Sequence, residues 1–380
     1  MPWMTRWPGS FPLHVQRAQG ARFVDVDDIE YVDFCLGDTG AMTGHALDAV
    51  AQAVSQQAKL GLTTMLPTSD AQWVAQNLAQ RFGVSKWQFA ISATDANRFV
   101  LRFARMLTGR PKIVVHDWCY HGSVDETLVI RDAKGNTISR PGAIGPQVDP
   151  ALTTRVVPFN DLVELERVLA IGDVACVLIE PALTNIGIVL PQDGYIQGVR
   201  DITRKYDVLL VVDETHTICA GPGGCTKLWN IDPDFVVIGK TIGGGIPVGA
   251  YGMTSEIALR LEAAMTGHDV DVSGVGGTLS GSALAMSAMR ATLSNALTQR
   301  TLIKRFLWRQ GGRKVLNKHA LREILIGMYS SWVVARSIGF AHHRLMALRL
   351  QQQLIRCLRR SCISFVSIVV YCSRLFTTWL

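Results

Sequence analysis

Two short apolar runs stand out in the pattern of the chain, and each is closed by a charged residue. Residues 207–212 run into Asp213-Glu214, and residues 235–239 run into Lys240. Brief apolar runs bounded by Gly and Pro, in a chain that also shows helical spacing, predict buried parallel strands of an α/β sheet. In such sheets ligands sit beyond the carboxyl ends of the strands. Asp213 and Lys240 are therefore expected to face one cleft, with Thr241 and the glycines 243–245 next to them. A strand-end lysine that snorkels to solvent is the alternative.

The same reading extends along the chain. Alternation over residues 23–34 predicts a hairpin that turns near Asp27-Asp28. Apolar spacing predicts helices over 47–59 and 70–82, the second capped by Ser69 or Asp70. A strand at 87–91 leads into the small polar turn Ser92-Ala93-Thr94-Asp95-Ala96-Asn97 and a helical run over 98–107. A strand, a polar turn and a helix start form an anion site, because free backbone N–H groups and the helix dipole favour phosphate. Strands follow at 112–115 and 174–179, and helices at 161–170, at 198–206 and from near Ser282. The Gly-, Pro- and Asp-rich residues 131–154 read as a long connection that forms a flap.

Charge divides the chain in two. Residues 1–299 hold 23 Lys and Arg against 30 Asp and Glu, whereas residues 300–380 hold 15 against one, Glu323. All 14 prolines and 30 of the 34 glycines also precede residue 300. The basic tail ends in an apolar stretch at 361–373 that is too short for a membrane span. A shift of reading frame near residue 300 accounts for this change of character; a basic tail for membrane or nucleic acid is the alternative, and no groove-reading motif accompanies it. The eight cysteines are scattered with no CxxC pair, which argues against a zinc ribbon and a disulfide framework and makes reduced cytosolic thiols the expectation. The start MPWMTRWPGSFP lacks the apolar segment of a signal peptide.

From about residue 20 to 298, these segments in this order resemble the class III aminotransferases, and among them the glutamate-1-semialdehyde aminomutase subgroup. The resemblance implies an α/β fold, the fold type I of pyridoxal-phosphate-dependent transferases. Its sheet is seven-stranded and mainly parallel, flanked by helices, with a smaller domain built from the two termini. The implied divisions are an N-terminal segment over 1–36, a large cofactor-binding domain over 37–298, and the atypical tail over 299–380. The implied cofactor is pyridoxal phosphate, with no metal. Lys240 would form its Schiff base and shuttle protons, and Asp213 would pair with the pyridine nitrogen. A carboxylate there keeps that nitrogen protonated, so that the ring acts as an electron sink. The lysine amine must be neutral to attack a carbonyl, and once freed it can act as general base and acid.

Further roles follow from the same resemblance. Ser92, Ala93 and Thr94 would bind the phosphate, with Ala93 and Asp95 replacing the family's Gly and Glu. Tyr120, in Tyr-His-Gly, would stack on the ring; a core tyrosine is the alternative. Asn185, after Glu180-Pro181, would reach the ring hydroxyl, or else serve as an ordinary turn residue. Thr215 would lie on the ring face opposite Tyr120. Thr278, in Gly-Gly-Thr-Leu-Ser-Gly, would reach the phosphate of a partner subunit, which implies a homodimer with shared sites. His45, His121 and His216 are each open to a catalytic or a structural reading. The implied activity moves an amino group on an amino-acid or keto-acid substrate, with no nucleic-acid or membrane partner. The alternatives are a decarboxylase or racemase of the same fold, or an impaired product of a damaged gene.

Overall fold

The computed structural model describes residues 13–145, 148–266 and 273–301. The tail from residue 302, and with it the frameshift and C-terminal-domain expectations, lies outside the described residues. The chain opens with a three-stranded antiparallel sheet of β1 (Val15–Gln19), β2 (Arg22–Asp25) and β3 (Glu30–Val32). The expected hairpin is present, with Phe23 opposite Tyr31 and their rings stacked 4.9 Å apart. Its turn closes on the buried Asp25 carboxylate, which accepts from the N–H groups of Asp27 and Ile29 and from the Tyr31 hydroxyl.

The main sheet comprises β4 (Lys86–Ala90), β5 (Lys112–His116), β8 (Thr154–Val157), β9 (Val174–Ile179), β10 (Leu209–Asp213), β11 (Phe235–Ile238) and β12 (Gly249–Met253). Its seven strands run in the order β4-β12-β11-β10-β9-β5-β8. Only β12 is reversed, antiparallel to both neighbours, so the other six carboxyl ends and the amino end of β12 share one edge. A small hairpin, β6 (Val129–Arg131) with β7 (Thr137–Ser139), lies between β5 and β8.

Helices cover both faces, which explains why the central strands read as unbroken apolar runs. Alternate residues serve opposite sides. Leu209, Val211, Phe235 and Val237 pack with Phe99, Val100 and Phe103 of α3 (Ala93–Thr108). Leu210 and Val212 pack with Leu165 and Leu169 of α4 (Leu162–Leu169) and Val199 of α5 (Tyr195–Lys205). Val236 and Ile238 meet Leu78 of α2 (Ser69–Phe82) and Met286 and Met289 of α8 (Ala283–Asn295). The remaining helices are α1 (Asp48–Ala58), α6 (Gly224–Leu228) and α7 (Ser255–Met265). Among the described residues, no helix is long and apolar enough to cross a membrane.

Several expectations shift. The polar turn at 92–97 is already helix: α3 starts at Ala93, and Ser92 caps it by accepting from the Asp95 N–H and donating to the Asp95 carboxylate. This reciprocal Ser-x-x-Asp cap hides a helix start inside a run that looks like a loop. The cap of α2 is Thr68, not Ser69 or Asp70. The connection over 131–154 is partly regular, holding β7 and the start of β8. Strand β12, with the sequence GAYGM, was not anticipated. Its two glycines erase the strand signature, and both are required by packing. A Cβ on Gly249 would lie 2.4 Å from the carbonyl carbon and oxygen of Ser92, and one on Gly252 would lie 2.5 Å from the Trp87 ring.

Gly249→Val is expected to push the β4–α3 turn off the sheet edge. It should lower stability by about 1–3 kcal/mol, the usual cost of overpacking, read as a drop in Tm, whereas Gly221→Ala, whose Cβ would lie 4.0 Å from the Gly224 carbonyl oxygen on extended backbone, should cost less.

Candidate active site at the carboxyl edge of the sheet

The edge is built around Asp213, the last residue of β10, whose side chain is buried. Its Oδ2 accepts from His121 Nδ1 and Asn97 Nδ2, both at 2.9 Å, and its Oδ1 accepts from the Thr215 N–H at 3.0 Å. Burial alone would raise the Asp213 pKa; the hydrogen bond and charge of His121, helped by Thr215 and Asn97, reverse this and hold it below 3.8. His121 shows the reciprocal effect. Burial favours the neutral ring, but Cys119 and the Asp213 carboxylate raise its pKa well above 6.5. The carboxylate is thus kept ionised in a dry setting.

Lys240 follows β11 through Gly239 and takes a left-handed φ of +52°. Its Nζ lies 2.9 Å from His216 Nε2, 2.9 Å from the Asp38 carbonyl oxygen and 3.1 Å from Asp38 Oδ2. Burial, then the Lys240 charge, lowers the His216 pKa to about 4, so the imidazole is neutral at ordinary pH. Its other nitrogen, Nδ1, faces Thr39 Oγ1 at 3.5 Å. Asp38 lies in an unusual turn: Leu36, Gly37, Asp38 and Thr39 all have φ between +53° and +68°. Each non-glycine residue held there costs roughly 1–3 kcal/mol.

The third component is the start of α3. The N–H groups of Ala93 and Thr94 occupy the first turn, where no intrahelical carbonyl is available. The turn is seated by glycines. A Cβ on Gly122 would meet Thr94 Oγ1 at 2.1 Å, and one on Gly239 would meet the Ala93 Cβ at 2.8 Å. Thr94 Oγ1 accepts from the Ser123 N–H, which leaves its own proton to donate. Ser92 Oγ differs, because its proton is directed to Asp95.

The remaining expected residues divide. Thr215 is buried beside Asp213, and among the described residues its Oγ1 has no hydrogen-bond partner. Tyr120 is exposed just beyond β5; its N–H is tied to Glu180, the residue after β9, which also accepts from Thr184. Asn185 is half-buried in the loop after Glu180. Thr278 is exposed in the turn before α8, and among the described residues no contact joins it to Lys240 or Asp213. His45 is bonded to Asp33 and, through its backbone, to Gly20, and so holds the loop that carries Asp38.

Sequence reasoning missed Asn97, Asp38 and Glu214. Asn97 is a polar residue on the apolar face of α3, and that mismatch was a usable signal. Asp38 showed no signal beyond its loop. Glu214 is buried, and burial raises its pKa. It accepts from Thr217 and Thr226 hydroxyls and from the N–H groups of Cys225 and Thr226, tying the 217–226 segment to the end of β10.

This set fits pyridoxal phosphate. An ionised buried carboxylate suits a pyridinium nitrogen, a glycine-seated helix start suits the phosphate, and an amine faces the same edge. Among the described residues, Asn97 Oδ1, His121 Nε2, Thr215 Oγ1 and Thr241 Oγ1 are buried without a hydrogen-bond partner, so the edge holds polar atoms whose needs those residues do not meet.

The sequence model of the family Aminotransferase class-III matches residues 3–313. A glutamate-1-semialdehyde 2,1-aminomutase of Sulfurihydrogenibium azorense is 39% identical over 284 residues, which is 74% of this chain and 65% of that protein. The chain thus spans just under two thirds of that relative's length. Among solved structures, a glutamate-1-semialdehyde-aminomutase from Pseudomonas aeruginosa PAO1 is 51% identical, with a TM-score of 0.77 over 79% of this chain and 67% of that one. The same values hold for its lysine-to-alanine variant solved in complex with PMP.

The buried pair predicts a pH profile of stability. Asp213, with its pKa lowered from 3.8, contributes fully above that value and loses its contribution as pH falls through the lowered one. His121, raised from 6.5, contributes fully below that value and loses its contribution as pH rises through the raised one. The pair should therefore stabilise most between these two ordinary values, and Tm should decline toward alkaline pH. His121→Leu should remove this alkaline slope and, at neutral pH, cost about 3–5 kcal/mol by leaving a buried carboxylate unpaired; denaturant melts at several pH values measure both.

Proposed function

Because the chain belongs to the class III aminotransferase family, we propose that it is a pyridoxal-phosphate-dependent enzyme that moves an amino group on an amino-acid-like substrate, as an aminotransferase or aminomutase does. The observation that carries this reading is the convergence on one sheet edge of an ionised buried carboxylate, Asp213, and a lysine amine, Lys240, beside the N-terminus of α3. The P. aeruginosa aminomutase, whose variant binds PMP, supports it.

Bound there, the cofactor would supply an electron sink for charge that develops at the substrate's Cα. The chain's own residues divide the remaining work. Asp213 would hold the pyridine nitrogen protonated, while His121 and Asn97 fix its orientation and keep it ionised. The N–H groups of Ala93 and Thr94 and the Thr94 hydroxyl would bind the phosphate, with Ser92 contributing backbone rather than its capped side chain. Tyr120, Asn185 and Thr215 would position the ring, and Thr278 would serve a partner's phosphate in a homodimer. Lys240 would carry the reacting proton on Nζ. Beside it, His216, kept neutral by burial, does not compete for that proton.

The reading of residues 300–380 as an out-of-frame remnant is a separate proposal, supported by the family match ending at residue 313 and by the charge reversal. A coding sequence whose other frames past residue 299 encode nothing resembling the family would sink it.

Adding pyridoxal phosphate to the purified chain should produce a visible absorbance band that is absent in Lys240→Ala and weakened in Asp213→Ala. Incubation with single amino donors should then yield keto acids or a shifted amino group. Carbon dioxide or racemised donor as the sole product would replace this reading with decarboxylase or racemase chemistry.

A further inference from the structure

Glu180 joins two loops at the carboxyl edge of the sheet. It follows β9 directly and is only 3% exposed. Its Oε1 accepts from the Tyr120 N–H at 3.1 Å, and its Oε2 accepts from the Thr184 hydroxyl at 2.6 Å. Tyr120 belongs to the turn after β5. Thr184 belongs to the loop after β9 and stands one residue before Asn185. The two oxygens of a carboxyl are rigidly spaced on one carbon, so this group sets the Tyr120 backbone at a fixed distance from the Thr184 side chain.

Each partner is itself seated. Tyr120 is exposed, but Cys119 and His121 on either side of it are buried. The Cys119 N–H donates to the His116 carbonyl oxygen, and His121 is bonded to Asp213. In the other loop, Leu183 and Val189 exchange backbone N–H bonds at 3.1 and 3.0 Å, which closes a short loop at its base, with Gly187 at a φ of +101°. Leu183 anchors that base in the core beside α3. The Thr184 bond to Glu180 then ties the tip, next to Asn185, back to the sheet.

Burial is the main influence on the Glu180 carboxyl and raises its pKa. Both of its donors are neutral groups. A buried carboxyl held this way is a costly choice for stability alone, because an apolar residue of similar volume would avoid the desolvation. What the carboxyl supplies is a two-ended bridge.

We propose that Glu180 is a positioning residue that fixes Tyr120 and Asn185 relative to each other, so that a ring stacked on Tyr120 presents its hydroxyl to Asn185. This deepens the reading above and rests on it for the identity of the ring, pyridoxal phosphate. The bridge between the two loops stands on geometry alone. Glu180 acts through Tyr120 and Thr184.

Two measurements on the full chain test this. The first needs no cofactor and follows amide hydrogen exchange by mass spectrometry. In Glu180→Ala, residues 118–121 and 183–189 should both exchange about two- to tenfold faster, the range for losing one hydrogen bond, while residues 25–29 stay unchanged. Thr184→Val, which removes one hydroxyl at nearly constant shape, should speed 183–189 alone. If either segment in Glu180→Ala exchanges as in the unaltered chain, the bridge is overturned. Should Glu180→Ala fail to fold, Thr184→Val decides, and unchanged exchange at 183–189 overturns the bridge.

The second measurement is pyridoxal phosphate affinity, read from the Lys240-dependent absorbance band. Glu180→Ala should weaken it about two- to tenfold. Glu180→Gln keeps an oxygen for the Tyr120 N–H and offers an amide to the Thr184 oxygen, so it should restore most of the affinity. A Gln variant as weak as Ala would overturn a geometric role. The effects of Tyr120→Leu and Asn185→Ala on affinity should be non-additive in the unaltered chain and additive in Glu180→Ala. Additivity in both backgrounds would also overturn the positioning role. A chain that shows no Lys240-dependent band in any variant loses the functional reading, and the exchange data alone then decide the bridge.

Discussion

A carboxylate placed at the centre of an apolar sheet must be paired or it will take up a proton. Much of this edge is arranged around meeting that demand for Asp213. His121 arrives from the loop after β5, Asn97 from the first turns of α3, and Thr215 from the chain just beyond the strand. Three elements are thereby fixed to one side chain. Because His121 donates to Asp213 and its loop also rests on Thr94 through Gly122 and Ser123, the support of the carboxylate and the seating of the α3 start are one construction. Altering either disturbs the other.

The fold was legible where burial is two-sided. Helices on both faces demand apolar residues at successive positions, so β9, β10 and β11 announced themselves, and their charged exits marked the site. Legibility failed where close packing replaced side chains with glycine. In β12 a strand propensity scale sees only Gly-Ala-Tyr-Gly-Met, while the structure needs Gly249 against Ser92 and Gly252 against Trp87. It also failed at Ser92-Ala93-Thr94-Asp95, where capping chemistry and turn chemistry use the same small polar residues.

The site divides in a similar way. Lys240 and Asp213 stand at strand ends and could be placed from pattern alone. Asn97 and His121 act through contacts with partners far away in sequence, and nothing local encodes such a partnership. Asp38 is the extreme case. Its contact with Lys240 depends on a left-handed backbone that neighbouring bonds impose.

The reversed strand has a consequence for how the edge comes together. Lys240 lies at the tip of a hairpin formed by β11 and β12, and Ile238 pairs with Ala250 only 12 positions on. Asp213 and His121 meet across 92 positions, and Lys240 and Asp38 across 202. Closing a short loop costs far less chain entropy than closing a long one, and pairings distant in sequence form slowly. The lysine's corner is thus the local part of this edge, while the carboxylate's setting and the Lys240–Asp38 pair wait for distant segments to arrive. A chain that stalls during folding would present the amine without its counterpart, an exposed nucleophile with nothing to direct it.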